Sequence, residues 1–390
     1  IDDNDADATN LMGTIFEKQG YFNKAKKHFL KALELNKNLV LARINILSLY
    51  QQEGQIEEAK KQFAELVEEQ PQDPEVLCRM SALAIQQESF ENGWRYYENR
   101  WDVFPMNKTK WPIKGKALWK GERRKRVVLW KEQGIGDQII CLSLIAEVNT
   151  MCETLWVYVD SRLRSLCKRA MPEINFIDNI EELQHLQYDY HLPLGSVPGL
   201  IRNEISDFDR TINGYLKPDP QRVQSLRNEL KLAGKRVVGI SWKSFNTLNQ
   251  ATKSIQLREM EKVFSGLDVV LVNLQYGDVE DEIKQFKEET GIEVIQCASV
   301  ENREDLDGLA ALIEACDLVI STSNITVHMA GALAKNTWVL LPYLNVIFWW
   351  LLKRTDSVWY PNTTLYRQQK NNDWDSVYVS IRKDLRNKIL

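Results

Sequence analysis

Three short stretches of this chain collect residue types that can move a proton or hold a phosphate. The first is Glu132-Gln133-Gly134-Ile135-Gly136-Asp137, between a β-rich apolar run and a helix-like one. Glycines there permit close backbone approach, and the free N–H groups of a first helical turn favour anionic or polar ligands. Asp137 at that point either caps the helix or presents a carboxylate at the strand's carboxyl edge as a general base for a hydroxyl. The second stretch is Ser241-Trp242-Lys243-Ser244, with Lys253 further along. Both lysines follow a strand end, where a cation can offset charge on a departing diphosphate, although exposed loop lysines would look the same. Gln275-Tyr276-Gly277 follows the next strand and reads as a nucleobase contact or a simple turn. The third stretch, Ser321 to Leu333, runs from an apolar strand straight into a helix. Ser323 and Asn324 are strong N-caps, and His328 shares a helix face with Asn324 by its i,i+4 spacing. Together with Thr326 they bring hydroxyls, an amide and an imidazole to one helix start, which is what a diphosphate or ribose needs.

The elements required to position these residues can be read from the pattern. Arg126–Lys131 and Leu155–Val159 read as strands, with helices expected over Ile135–Asn149 and Arg162–Ala170. After Pro218-Asp219-Pro220 a second series begins. Its strands are expected at Arg236–Trp242, Val269–Leu274, Glu293–Gln296, Leu318–Ser321 and Trp338–Leu341. Helices separate them, at about Gln221–Leu232, Asp278–Thr290, Leu306–Ala315 and Ile325–Ala334. Strand and helix alternating at this spacing predict parallel sheets with crossover helices, in two Rossmann-like halves. A last helix over Trp374–Leu390 is expected to return to the first half.

Ahead of both halves lies a repeat. Gly20, Ala25 and Phe29 recur 34 positions later as Gly54, Ala59 and Phe63, and a weaker copy falls on Glu88, Gly93 and Tyr97. Small residues let paired helices approach, and the aromatic fills the groove against the next unit. Three such units are about the minimum for a stable stack. The aromatic end of the third, Trp94, Tyr96, Tyr97, Trp101 and Phe104, predicts a junction with the first α/β half. The concave face predicts a protein partner, or the repeats serve only as architecture.

Bulk composition removes several classes. With 50 basic and 54 acidic residues and a net charge of -4, the chain lacks a nucleic-acid footprint. Six cysteines without a CxxC pair and only four histidines predict neither a zinc site nor a disulfide framework, and fit a reducing compartment. The acidic opening Asp2-Asp3-Asn4-Asp5 is the opposite of a secretory leader. The apolar run Trp338–Leu352 is interrupted by Pro342 and falls short of the roughly 20 residues of a membrane span. Its Phe348, Trp349 and Trp350 either pack inside or touch a membrane surface. A cytoplasmic protein, peripheral at the inner membrane at most, is expected.

Taken in order, EQGIGDQI, RVVGISWKS, VISTSNITVHMAGALAKNTWVLLP, DSVWYPNTTLYRQ and DWDSV resemble a bacterial group of tetratricopeptide-linked glycosyltransferases. That group is similar to the lipopolysaccharide heptosyltransferases and, more distantly, to O-GlcNAc transferases. The resemblance implies tetratricopeptide helices over 1–107 and a GT-B fold. Its acceptor-side domain would be 108–216 and its nucleotide-sugar domain 217–390. It implies transfer of a sugar from a nucleotide diphosphate sugar to a glycan, lipid or protein acceptor, with no metal or other cofactor. Asp137 would be the catalytic base, with Gln133, Gly134 and Gly136 on the acceptor-side loop. Lys243, Lys253, Gln275, Tyr276, Ser323, Asn324, Thr326 and His328 would face the donor. Heptosyltransferase-like members carry Asp-Thr where this chain has Ser323-Asn324, which argues against ADP-heptose. A non-catalytic scaffold that senses a nucleotide sugar is the alternative.

Overall fold

The computed structural model describes residues 4–388 apart from 54, 104–110, 231–233, 245–252, 344–347 and 371. Gly54, Phe104 and Asn345 therefore lie outside the described residues.

The repeats form helical pairs: α1 (Ala6–Lys18) with α2 (Phe22–Leu35), α3 (Val40–Gln52) with α4 (Ile56–Glu69), and α5 (Pro74–Gln86) with α6 (Phe90–Tyr97). Asp5 caps α1, and Asp73 caps α5, which has Pro74 in its first turn. The repeated Ala25, Phe29, Ala59 and Phe63 are all buried between helices. The turn between paired helices needs a left-handed residue, and Gly20 supplies it at φ +79°. In the third unit Glu88 takes the same conformation at φ +67°, a strain of roughly 1–2 kcal/mol for a residue with a Cβ. A 3-10 turn, Glu98–Asp102, leads out of α6.

The first sheet contains β1 (Ala117–Leu118), β2 (Arg126–Trp130), β3 (Thr154–Tyr158), β4 (Asn175–Phe176) and β5 (Tyr190–Pro193), in the order β1-β5-β2-β3-β4. All its pairings are parallel. Its helices are α7 (Ile135–Leu142), α8 (Ile145–Asn149), α9 (Arg164–Ala170) and the short α10 (Pro198–Ile201). The single helix expected over Ile135–Asn149 is broken. Ser143 and Leu144 pair with carbonyls three residues back, and the tighter turn separates α7 from α8.

The second half opens with α11 (Pro220–Glu229), capped by Asp219. Its sheet uses β6 (Arg236–Ser241), β7 (Val269–Asn273), β8 (Val294–Ile295), β9 (Leu318–Thr322), β10 (Thr337–Leu341) and β11 (Thr363–Arg367). The order is β11-β10-β9-β6-β7-β8, again parallel throughout. Between these strands run α12 (Glu261–Phe264), α13 (Glu280–Thr290), α14 (Leu306–Ala315) and α15 (Ile325–Ala332), and α16 (Trp374–Lys388) closes the chain. Helical repeats followed by two parallel-sheet α/β units is the GT-B-like architecture expected from the sequence.

The C-terminal helix departs from expectation. It does not return to the first half: Val377, Tyr378, Ile381 and Leu385 join Trp338, Val263 and Phe264 in a core of the second half. Tyr366 donates to Asp384 at 2.7 Å, and Arg382 donates to the carbonyl of Val263 at 2.8 Å, which fixes it there.

The two halves share one apolar cluster that includes Ile139, Leu142, Val327 and Ala330. The connecting segment seals it, because the N–H groups of Tyr215 and Leu216 both donate to the carbonyl of Ala332 at the end of α15. At the rim, Arg169 forms an ion pair with Asp307 at 2.8 Å.

Candidate functional site

The two halves meet where α7 packs on α15. A Cβ built on Gly136 would stand 2.8 Å from Cδ2 of His328, so only glycine fits there without displacing the ring. One turn into α7, Asp137 faces this junction. Its Oδ1 accepts a hydrogen bond from the indole of Trp349 at 2.7 Å, across 212 positions of sequence. Burial raises the pKa of Asp137, opposed by the Trp349 bond, by the positive charge of Lys253 and by backbone N–H groups at Asp137 and Gly134.

Lys253 comes from the second half and is only 4% exposed. Burial pulls its pKa down to about 8, while Asp137 pulls it back up. The two are thus electrostatically coupled, yet among the described residues no ion pair joins them. Lys253 stands beside the β6 edge because Ile255 N–H donates to the carbonyl of Trp242.

His328 is buried and stacked on Trp350, at 5.4 Å with 10° between planes. Burial, with help from Lys253, lowers its pKa to about 3, so the imidazole is neutral. Nearby, the hydroxyl of Tyr215 donates to the carbonyl of Ile139 at 2.7 Å. Nδ1 of His328 is hydrogen-bonded to the hydroxyl of Tyr360 at 3.1 Å, and which of the two donates depends on the imidazole tautomer. Nε2 lies beside Gly136.

The other expected residues divide. Ser323 and Asn324 sit at the α15 start, but their polar atoms are engaged. Ser323 accepts from the Trp350 indole at 2.8 Å. Asn324 caps Thr326 and donates to Ser241 Oγ at 2.7 Å and to the carbonyl of Lys243 at 3.0 Å. Thr326 is fully buried, its hydroxyl directed at the carbonyl of Leu274. Gln275 turns inward, its side-chain oxygen accepting from Ser241 Oγ, Trp242 N and Lys243 N, so its amide clamps the end of β6 to β7. The carbonyl of Tyr276 accepts from that same amide at 3.0 Å. Lys243 points away, in an ion pair with Glu282. Gln133 donates to the hydroxyl of Tyr97 in the repeats, and Gly134 is the cap residue of α7. Asp137, Lys253, Gly134, Gly136 and His328 therefore converge, whereas Lys243, Gln275 and Gln133 point elsewhere.

Sequence reasoning missed Trp349, Tyr360 and Tyr215, and treated Glu132 only as part of a loop. The consecutive tryptophans at 349 and 350 were the one available signal. Trp349 is 3% exposed and Trp350 is fully buried, so packing, and not a membrane surface, accounts for both. No helix among the described residues is long and apolar enough to cross a membrane. Two cavities, of about 670 and 490 Å³, lie on the first half and contain none of the expected residues.

Residues 17–80 match the family model of the tetratricopeptide repeat. The chain is 29% identical over 319 residues to protein FlbA of Caulobacter vibrioides, covering 75% of this chain and 52% of that protein. It thus spans about half the length of the curated relative it matches. Among solved structures, it resembles the ADP-heptose lipopolysaccharide heptosyltransferase II of Escherichia coli at 12% identity and TM-score 0.47, over 65% of this chain and 99% of that one. A family 9 glycosyl transferase of Veillonella parvula gives 11% identity and TM-score 0.47, over 67% and 90%. An O-GlcNAc transferase of Thermobaculum terrenum gives 12% and 0.35, over 98% and 84%. These superpositions are loose, and the architecture stands on the strand orders described above.

Proposed function

We propose that this chain is a metal-independent glycosyltransferase that moves a sugar from a nucleotide diphosphate sugar to a hydroxyl acceptor. The repeats over 1–107 precede an acceptor-side domain, 108–216, and a donor-side domain, 217–390. The observation that carries the reading is the pair Asp137 and Lys253, one from each half, coupled across the junction without closing into an ion pair. The acceptor hydroxyl gives its proton to the Asp137 carboxylate while its oxygen attacks the anomeric carbon. The bond from that carbon to the phosphate oxygen breaks, and Lys253 meets the charge left on the diphosphate. Burial of both groups strengthens each effect, since charges interact more strongly away from water.

Titrating UDP, GDP, ADP and CMP against the protein tests this first, followed by turnover of the matching sugar donors. One nucleotide should bind and its donor should be consumed. Binding of none of them overturns the proposal. The second reading is a scaffold that binds a nucleotide sugar without consuming it. Tight nucleotide binding with no donor loss in the presence of acceptors would select that reading.

A further inference from the structure

The end of the third helical pair touches both sides of the junction. On the first half, Arg100 is buried and grips Glu132 with two hydrogen bonds, Nη2 to Oε1 at 2.7 Å and Nε to Oε2 at 3.2 Å. The same guanidinium donates to Ser196 at 2.8 Å and lies 4.3 Å from the ring centre of Tyr97. Glu132 also accepts from the N–H of Gly195 at 3.0 Å. A Cβ at Gly195 would fall 2.4 Å from that carboxylate oxygen, so the loop is packed directly on the ion pair. Gln133, next in sequence, donates to the Tyr97 hydroxyl. On the second half, Trp94 packs on Phe348 and Trp349 with ring centres 5.9 and 6.1 Å apart, and Tyr97 lies 5.3 Å from Phe348. The N–H of Leu352 donates to the carbonyl of Gln86 at the end of α5.

Each element held in this way carries one partner of a single hydrogen bond. Glu132-Gln133 leads directly into the glycine loop that bears Asp137, and Trp349 is the residue whose indole binds Asp137. We propose that Arg100 and Trp94 are positioning residues for Asp137: the repeat end is a strut that sets the register of the two halves at the carboxylate. This rests on the proposed role of Asp137. A bidentate guanidinium–carboxylate grip fixes orientation as well as distance, which a point charge would not. A ligand or partner that moves α6 therefore moves both sides of the Asp137–Trp349 bond.

The test uses the full chain labelled with 5-fluorotryptophan, the Trp349 resonance being assigned by its loss in Trp349→Phe. Its chemical shift is followed against pH, with Asp137→Asn identifying the inflection due to that carboxyl. The pair variant Arg100→Gln with Glu132→Gln removes the ionic grip without leaving one buried charge alone. Arg100→Lys, which keeps the charge and loses the fork, is the second variant. The pair variant should fold, bind the nucleotide with unchanged Kd, and show a displaced Trp349 resonance and Asp137 inflection, with kcat falling at least tenfold. Arg100→Lys should show the same displacement. A folded pair variant with the wild-type Trp349 titration and kcat overturns the proposal. If the variants do not fold, Trp94→Phe gives the same readout from the other side. If wild type turns over no donor, the functional reading fails, and the fluorine titration still decides whether the strut acts on Asp137.

Discussion

Replacing Lys253 with Met should stabilise this protein while removing its chemistry. The ammonium is 4% exposed, and its pKa stands at about 8 against an ordinary value of 10.5. That gap corresponds to about 3 kcal/mol against the charged form in the folded state. The net gain near pH 7 is about 3 kcal/mol, which for a chain of 390 residues is a rise in melting temperature of roughly 3–4 °C. A lysine whose folded pKa lies below its unfolded one binds fewer protons when folded, so wild-type stability from this group rises with pH between about 8 and 10.5. The advantage of Lys253→Met is therefore full below pH 8 and shrinks by about 1.4 kcal/mol per pH unit above it. Melting curves of both proteins from pH 6.5 to 9.5 measure the difference directly. A variant less stable than wild type at pH 7, or a gap that ignores pH, refutes the idea that Lys253 is a strained cation held for a ligand.

Gly136→Ala should force His328 from its place on Trp350, since the new methyl would lie 2.8 Å from the ring. A loss of about 1–3 kcal/mol in a denaturant titration, with a larger loss of turnover than of nucleotide binding, is expected. Transfer should follow a bell-shaped pH profile. The acid limb reflects ionisation of Asp137, above the ordinary carboxylate range because of burial, and the basic limb falls near pH 8 as Lys253 loses its proton. A flat basic limb in kcat against pH would remove Lys253 from the reaction. Asn324→Asp, which places a carboxylate at the start of α15, should destabilise by about 2–3 kcal/mol. It removes the donors to Ser241 and to the Lys243 carbonyl and sets a negative charge against the latter, an effect a melting curve detects.

The repeats, the strands β2, β3, β6, β7, β8, β9 and β10, and the location of Asp137 at the first residues of α7 were all legible in the sequence. Their signals are local: a period, an apolar run, a cap. The short strands β1, β4 and β5 were not: two to four residues carry no periodicity, and unlike the equally short β8 they do not fall at an expected step of the strand–helix alternation. Strand β11 was missed although its residues contributed to the family resemblance. The side-chain directions escaped for another reason. Lys243 and Lys253 are the same residue type at neighbouring strand-end positions, yet Glu282, contributed by α13, captures the first and nothing ionic among the described residues captures the second. Gln275 looked like a ligand contact because nothing local reveals the three donors that β6 turns toward it. Trp349 meets Asp137 only after both sheets and the third helical pair have assembled.

The central claim is that Asp137 removes a proton during sugar transfer. Asp137→Asn keeps the oxygen that accepts from Trp349 and deletes the basicity, so the junction should stay intact. Donor consumption with acceptor present should fall at least a hundredfold in this variant, with nucleotide Kd unchanged. Equal turnover in both proteins would contradict the account.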